Sequence, residues 1–376
     1  MASPTSSMPT VSTKPPEAPV RLSIYAKSSI SLTYMLLLCA GILGNVLVIR
    51  VLWGLRRRRG IQASLSHHMC SLASCDLLQL VLGIPAELYG SIWSPFPWPL
   101  GNIGCCGFYY LWEVLCYAAI FNVLSLSCER HHATCRPLSI HLRQSSGVRL
   151  RLCLIWLISL LAGLPVVFTM GLEDVYAEDV DDQHPELWVC TPLNSRKGLF
   201  AASIWASFLT YLGVLSVVGI TCWRMRRALQ GSANQDLEVA GPGGSVQLLG
   251  RFCSGQMMTA RKQNARMLGC IVGALAVCWL PFQARRLMTV LRSKDQWTEN
   301  YYRSYITLQP ITNCFYYLST CLTPLLYNLT SRSFRRAFVH GVTHCAWGET
   351  PTACPYRPQP RDCVRMSVKG QDESDV

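Results

Sequence analysis

Apolar residues in this chain gather into seven long runs divided by short polar stretches, at 30–52, 70–92, 105–128, 152–170, 198–223, 267–284 and 304–329. A helix that crosses a bilayer needs about 20 such residues, because backbone polar groups in lipid must be satisfied within the helix. The last four runs hold no charged residue, and the first three hold only Arg50, Asp76, Glu87 and Glu113. Buried helices of soluble proteins are seldom so long and so free of charge. The pattern predicts an all-α membrane protein, a seven-transmembrane helix bundle with the lipid bilayer as its solvent.

Lys and Arg in short loops are retained on the cytoplasmic side. Arg56 to Arg59 follow the first run, and Arg136, Arg143, Arg149 and Arg151 follow the third. Arg224, Arg226, Arg227, Arg251, Arg261, Lys262 and Arg266 follow the fifth, whereas the stretch 171–195 carries seven acids and neither Lys nor Arg. The contrast predicts a multi-pass protein of the plasma membrane with its N-terminus outside and its C-terminus inside. Residues 1–29 form an extracellular tail, 30–342 the seven-helix domain with an interfacial helix, and 343–376 a cytoplasmic tail. The first twenty residues contain no apolar stretch, so no cleavable signal peptide is read and export rests on an internal segment. After the seventh run, Phe334 and Phe338 stand four residues apart with Arg332, Arg335 and Arg336 beside them, which predicts a short amphipathic helix on the inner leaflet. Cys345 follows as a candidate palmitoylation site, the alternative being an unmodified thiol.

Composition alters this picture little. The net charge of +13 would suggest a nucleic-acid partner, but the basic residues lie in loops that meet anionic inner-leaflet lipid, and no nucleic acid is called for. Most of the nineteen cysteines sit inside apolar runs, where thiols act as small hydrophobes.

Motifs then narrow the class. The runs carry Gly44-Asn45, then Leu72-Ala73-Ser74-Cys75-Asp76, then Glu129-Arg130-His131 at the end of the third. Trp156 and Pro165 follow, then Cys278-Trp279-Leu280-Pro281, and Thr323-Pro324 with Tyr327. A carboxylate in mid-membrane is costly, so Asp76 must face the bundle interior. Arg130 at a helix end either snorkels to water or, beside Glu129, offers guanidinium donors to carbonyls of an inserted partner helix. Pro281 and Pro324 each remove a backbone hydrogen bond and kink their helices, as a two-state switch requires.

In order and spacing these motifs resemble those of the rhodopsin-like, class A G-protein-coupled receptors. The run Ala-Val-Cys-Trp-Leu-Pro-Phe-Gln-Ala-Arg-Arg and the later Phe315-Tyr-Tyr-Leu-Ser are similar to the ghrelin, motilin and neurotensin receptor group, and most of all to its zinc-sensing orphan member. The resemblance implies a receptor that passes an extracellular signal, zinc or a peptide, to heterotrimeric G proteins as helix six moves against helix three, with arrestin as a further partner. It places Glu129, Arg130, Trp279, Pro281, Pro324 and Tyr327 in coupling and switching. It places a sodium ion at Asp76, near Asn45. Ala119 and Thr323 stand where relatives supply other ligands, so a hydrated Asp in a packing network is the alternative, and no other cofactor is called for. It implies a disulfide from Cys105 to Cys190, with Cys106 as the alternative partner.

Charges inside otherwise apolar helix ends mark a ligand pocket of Glu87, Glu113, Phe282, Arg285, Arg286 and Gln309, with Glu113 opposite Arg285 or Arg286. For zinc, His184 with Asp181 and Asp182 is the candidate set, although the N-terminal histidines of the zinc-sensing relative are absent. The C-terminal Glu-Ser-Asp-Val376 suits capture by a PDZ-type domain. A secondary transporter or channel is the alternative class, but no internal repeat supports it. No nucleophile, base and orienting group fall together, so the chain is not read as an enzyme.

Overall fold

A computed structural model describes residues 22–57, 63–94, 97–135, 147–174, 188–238, 245–293 and 296–330, together with 334, 335, 338 and 339. Among these residues, seven long helices and one short hairpin follow each other. They are α1 (Ile24–Arg57), α2 (Ala63–Glu87), α3 (Gly101–Cys135), α4 (Gly147–Thr169), β1 (Met170–Asp174), β2 (Trp188–Pro192), α5 (Lys197–Glu238), α6 (Ser245–Leu291) and α7 (Glu299–Thr330). Each helix outruns the apolar stretch that announced it; α1 starts at Ile24 and not near residue 30. The architecture is also not purely helical. β1 and β2 pair antiparallel with Leu172 opposite Cys190, and the hairpin lies on α3 and α4.

The helices close a ring in which α3 touches α2, α4, α5 and α6. In its apolar window 72% of α3 is buried, against 28% in α1, α4 and α5, so α3 is the axis and the others present a face outward. That outward face is apolar: Leu36, Leu43, Leu157, Leu161, Leu209 and Ile220 are exposed, as expected where lipid takes the place of water.

Among the described residues six helices are long and apolar enough to cross a membrane, and α7, at 32 residues, is long enough but more polar. Its hydroxyls are turned back on its own backbone: Ser319 donates to the Tyr316 carbonyl at 2.6 Å, Thr320 to Tyr317 at 2.7 Å and Thr323 to Ser319 at 3.1 Å. A helix whose polar side chains are satisfied this way spans lipid at low cost.

Proline shapes two further places. Pro85 in α2 lacks an N–H and crowds the carbonyl four residues before it, and the helix then widens into a π-helical turn over Leu88–Trp93. The turn brings Ser91 to α7, where it accepts from Gln309 Nε2 at 3.2 Å. In α7, Pro324 cannot donate to the carbonyl of Thr320, and Asn45 Nδ2 on α1 donates to it instead, at 3.1 Å. Gly44 permits that approach, since a Cβ there would lie 3.0 Å from the Pro324 ring.

Candidate functional site

Two polar clusters lie at opposite ends of one aromatic core. At the hairpin end, Glu113 on α3 accepts from Arg286 Nη2 on α6 at 2.6 Å, and Arg286 Nη1 donates to Ser207 on α5 at 3.1 Å. Both side chains are almost wholly enclosed, so this pair fastens α3 to α6 in a medium of low dielectric. Arg285 turns the other way, toward α7, and its guanidinium donates to Tyr305 at 3.0 Å and Thr312 at 3.1 Å. It lies 5.2 Å from the centre of the Tyr305 ring and 6.0 Å from that of Phe282. Of the two arginines, Arg286 is therefore the partner of Glu113, and among the described residues Arg285 makes no ion pair.

Glu87, at the end of α2, takes a third arrangement. It accepts from Tyr34 on α1 at 3.0 Å and from Asn313 Nδ2 on α7 at 2.7 Å. Two neutral donors meet a carboxylate that has left water, so α1, α2 and α7 are tied at one point. Tyr34 and Asn313 gave no signal in the sequence; each is one polar residue in an apolar run, and only the tertiary contact picks it out.

Below these charges the core is aromatic. Phe282 lies 4.7 Å from Tyr316, and Trp112 packs on both Tyr316 and Tyr317 at 5.1 and 5.7 Å. Gly83 on α2 makes room, since any Cβ there would collide with the Trp112 ring and the Tyr317 hydroxyl. Trp279 continues the stack, 5.3 Å from Tyr316, and donates its Nε1–H to Ser319 at 3.0 Å. Pro281 lies two residues further along α6, so the ring sits beside the point where the helix lacks a backbone donor.

Deeper still is Asp76, buried in a pocket lined by Ala119, Val123, Trp279, Ser319 and Thr323. One of its carboxylate oxygens has no hydrogen-bond partner among the described residues. Asn45 stands on the same side of the bundle but spends its amide on the carbonyls of Gly41 and Thr320.

At the far end, Arg130 on α3 is 2% exposed and its Nη2 donates to Glu129 Oε1 at 2.7 Å. Glu129 is a hub: it also accepts from the Ser64 hydroxyl on α2, and lies 3.6 Å from His68 Nδ1 and 3.7 Å from Arg151 Nη2 on α4. His68 bridges to Ser125 at 2.9 Å. Neither Ser64 nor His68 was legible as part of this site from sequence. Tyr327, fully buried, packs on Phe334 at 5.9 Å, and Phe334 lies 6.2 Å from Phe338.

Cys105 at the start of α3 is bonded to Cys190 on β2, with 5.6 Å between Cα atoms, and so draws the hairpin over the helix ends. Cys106 is free and its thiol donates to the Met170 carbonyl at 3.1 Å. His184, Asp181 and Asp182, the residues from 340 on that include Cys345 and Val376, and most of the expected interfacial helix lie outside the described residues. Among the described residues no three His, Cys, Asp or Glu side chains are grouped to hold a metal ion.

Known proteins place this arrangement. Residues 44–327, from α1 to α7, match the 7 transmembrane receptor (rhodopsin family). G-protein coupled receptor 39 of Bos taurus is 35% identical over 336 residues, covering 84% of this chain and 73% of its own. Neurotensin receptor type 1 of Homo sapiens is 33% identical over 327 residues, with 86% and 78% covered. With relatives of this likeness and a match that reaches every helix, the chain belongs to the rhodopsin family of seven-transmembrane receptors, multi-pass membrane proteins that are receptors and not enzymes.

Proposed function

We propose that this chain is a G-protein-coupled receptor of the plasma membrane, with the hairpin end and N-terminus outside and the Arg130 end facing the cytoplasm. One observation carries the reading. α6 is fastened to α3 by the Glu113–Arg286 pair at the hairpin end, whereas α6 contains no Asp or Glu anywhere from Ser245 to Leu291 that could hold Arg130 at the other. A ligand that alters the first contact acts on a helix with a proline kink midway, and the half beyond Pro281 is free of an ionic tether to Arg130. Movement of that half opens the space in which Arg130 meets a helix of the G protein. Arrestin would use the same opening. An amphipathic helix after α7, lying on the inner leaflet, and capture of Val376 by a PDZ-type domain complete the cytoplasmic side.

The missing tether has a measurable effect. An inter-helix ion pair to Arg130, which is buried, would contribute about 1 to 3 kcal/mol, roughly a 5- to 150-fold shift in a two-state equilibrium. Signalling without ligand is therefore expected above that of vector-transfected cells, and Arg261→Glu, which puts an acid on α6 near its cytoplasmic end, should lower it. A basal signal equal to vector would contradict the reading.

For the ligand, the arrangement favours a peptide. Arg285 presents a cation whose described hydrogen-bond partners are all neutral, at the end of the bundle that the hairpin covers. An anionic group of a peptide would meet it, and a peptide agonist found by screening should lose about tenfold or more in potency at Arg285→Gln. Zinc is the second ligand class, favoured by the seven acids around His184 in the loop 171–195. If it acts there, the zinc dose-response of His184→Ala should shift to higher concentration; an unchanged curve would place the metal elsewhere.

Asp76 fits a small monovalent cation. One buried carboxylate oxygen has no hydrogen bond among the described residues and the hydroxyls of Ser319 and Thr323 line the same pocket, while Ala119 offers no ligand. A bound sodium ion would neutralise the carboxylate and favour the closed packing of α2, α3 and α7 around it.

A further inference from the structure

We propose that a cleft between α5 and α6 at the Arg130 end binds one anionic phospholipid, its phosphate on Arg226 and an acyl chain against Gly219 and Val272. The cleft is open on its outer side, has a volume of about 240 Å³ and is lined by Gly219, Cys222, Trp223, Arg226, Gly269 and Val272. Its level in the bundle is set by Thr221, whose hydroxyl meets that of Ser127 at 2.7 Å, one helical turn before Arg130 on α3.

The cleft opens outward. Gly219, Trp223 and Arg226 lie on the exposed stripe of α5, while Val218, Cys222, Met225 and Leu229 face inward and are buried. The same outward face carries Val217, Ile220 and Trp223 at 44%, 52% and 57% exposure, a surface that only lipid would cover in a membrane protein. Gly219 and Gly269 both line the cleft, and a Cβ at Gly219 would meet nothing within 4 Å. Arg226 forms the polar floor. Its Nη2 lies 3.3 Å from where a Cβ of Gly269 would sit, so the guanidinium reaches across to α6, and among the described residues it makes no ion pair.

Charge selects the occupant. α6 contains no acid, the acids of α5 are confined to Asp236 and Glu238 at its far end, and Arg224, Arg227, Lys262 and Arg266 stand exposed around the cleft. Arg227 packs over the Trp223 ring at 5.5 Å, a ring and cation placed together as they are at a membrane interface. A forked guanidinium beside a glycine-lined slot suits a phosphate joined to an acyl chain, and a zwitterionic headgroup would bring its own cation into this field.

The test uses the full chain, purified from mixed phosphatidylcholine and phosphatidylserine membranes, with retained lipid read by native mass spectrometry. Wild type should keep one phosphatidylserine in preference to phosphatidylcholine. Arg226→Gln should hold it about fivefold more weakly. Gly269→Leu, which fills the slot and removes no charge but crowds the Arg226 guanidinium, should lose it as well, and Arg224→Gln, outside the lining, should not. Equal loss in Arg224→Gln, equal retention of the two lipids by wild type, or unchanged retention in Arg226→Gln would each overturn the proposal. Should Gly269→Leu fail to fold, the contrast between Arg226→Gln and Arg224→Gln, at matched thermal stability, decides it alone.

Discussion

Arg130→Ala is expected to reach the cell surface at close to the wild-type level and to lose G-protein activation down to the vector background, a fall of at least about tenfold. The two halves of this expectation have separate causes. Folding survives because Glu129, the ion-pair partner of Arg130, keeps the Ser64 hydroxyl, His68 and Arg151 around its carboxylate when the guanidinium is gone. Signalling fails because the guanidinium is the group that offers a fan of donors to an inserted helix, and Ala offers none. Surface labelling and a G-protein activation assay on the same cells separate the two. An Arg130→Ala receptor that signals normally would show that this end of α3 is not the coupling surface.

The Glu113–Arg286 pair should show the larger effect on stability. Removing one partner of an enclosed ion pair strands the other charge, at a cost of about 3 to 5 kcal/mol. For Glu113→Ala the stranded group is Arg286, left among the described residues with the Ser207 hydroxyl and the Phe282 ring face. A fall in the thermal midpoint of the purified receptor of roughly 10 °C follows. The double variant Glu113→Leu with Arg286→Met should recover most of it, because two apolar side chains need no partner. Equal midpoints for Glu113→Ala and wild type would mean that the pair does not close α3 against α6.

How far the sequence foretold this can be judged residue by residue. Helices were legible because lipid enforces a pattern that soluble folds need not keep: charge-free runs long enough to satisfy their own backbone. Glu87 and Glu113 were legible for the same reason, since each was an expensive exception in such a run, and Arg285 and Arg286 were legible as charges directly following one. Pairing was not. Arg285 and Arg286 are adjacent in sequence and point about 100° apart on a helix, so which of them faces α3 depends on the rotation of α6. The hairpin escaped notice because β1 and β2 are five residues each, and their pairing is enforced from outside by the bond between Cys105 and Cys190. Asn45 shows the most instructive gap. The motif marked it as important, yet its visible task, capping the carbonyl that Pro324 leaves without a donor, exists only once α1 and α7 touch. Ser64 and His68, which crowd Glu129, are ordinary polar residues at the start of α2 until the bundle closes.

The central claim, that this receptor drives G proteins through the Arg130 end, is tested most directly by nucleotide exchange with purified components. The full chain in lipid nanodiscs, without ligand, should speed GDP release from at least one class of heterotrimeric G protein. Arg130→Ala in the same nanodiscs should not, and Arg261→Glu should fall between the two. No acceleration by the wild-type chain with any class of G protein, or equal acceleration by wild type and Arg130→Ala, would contradict the account.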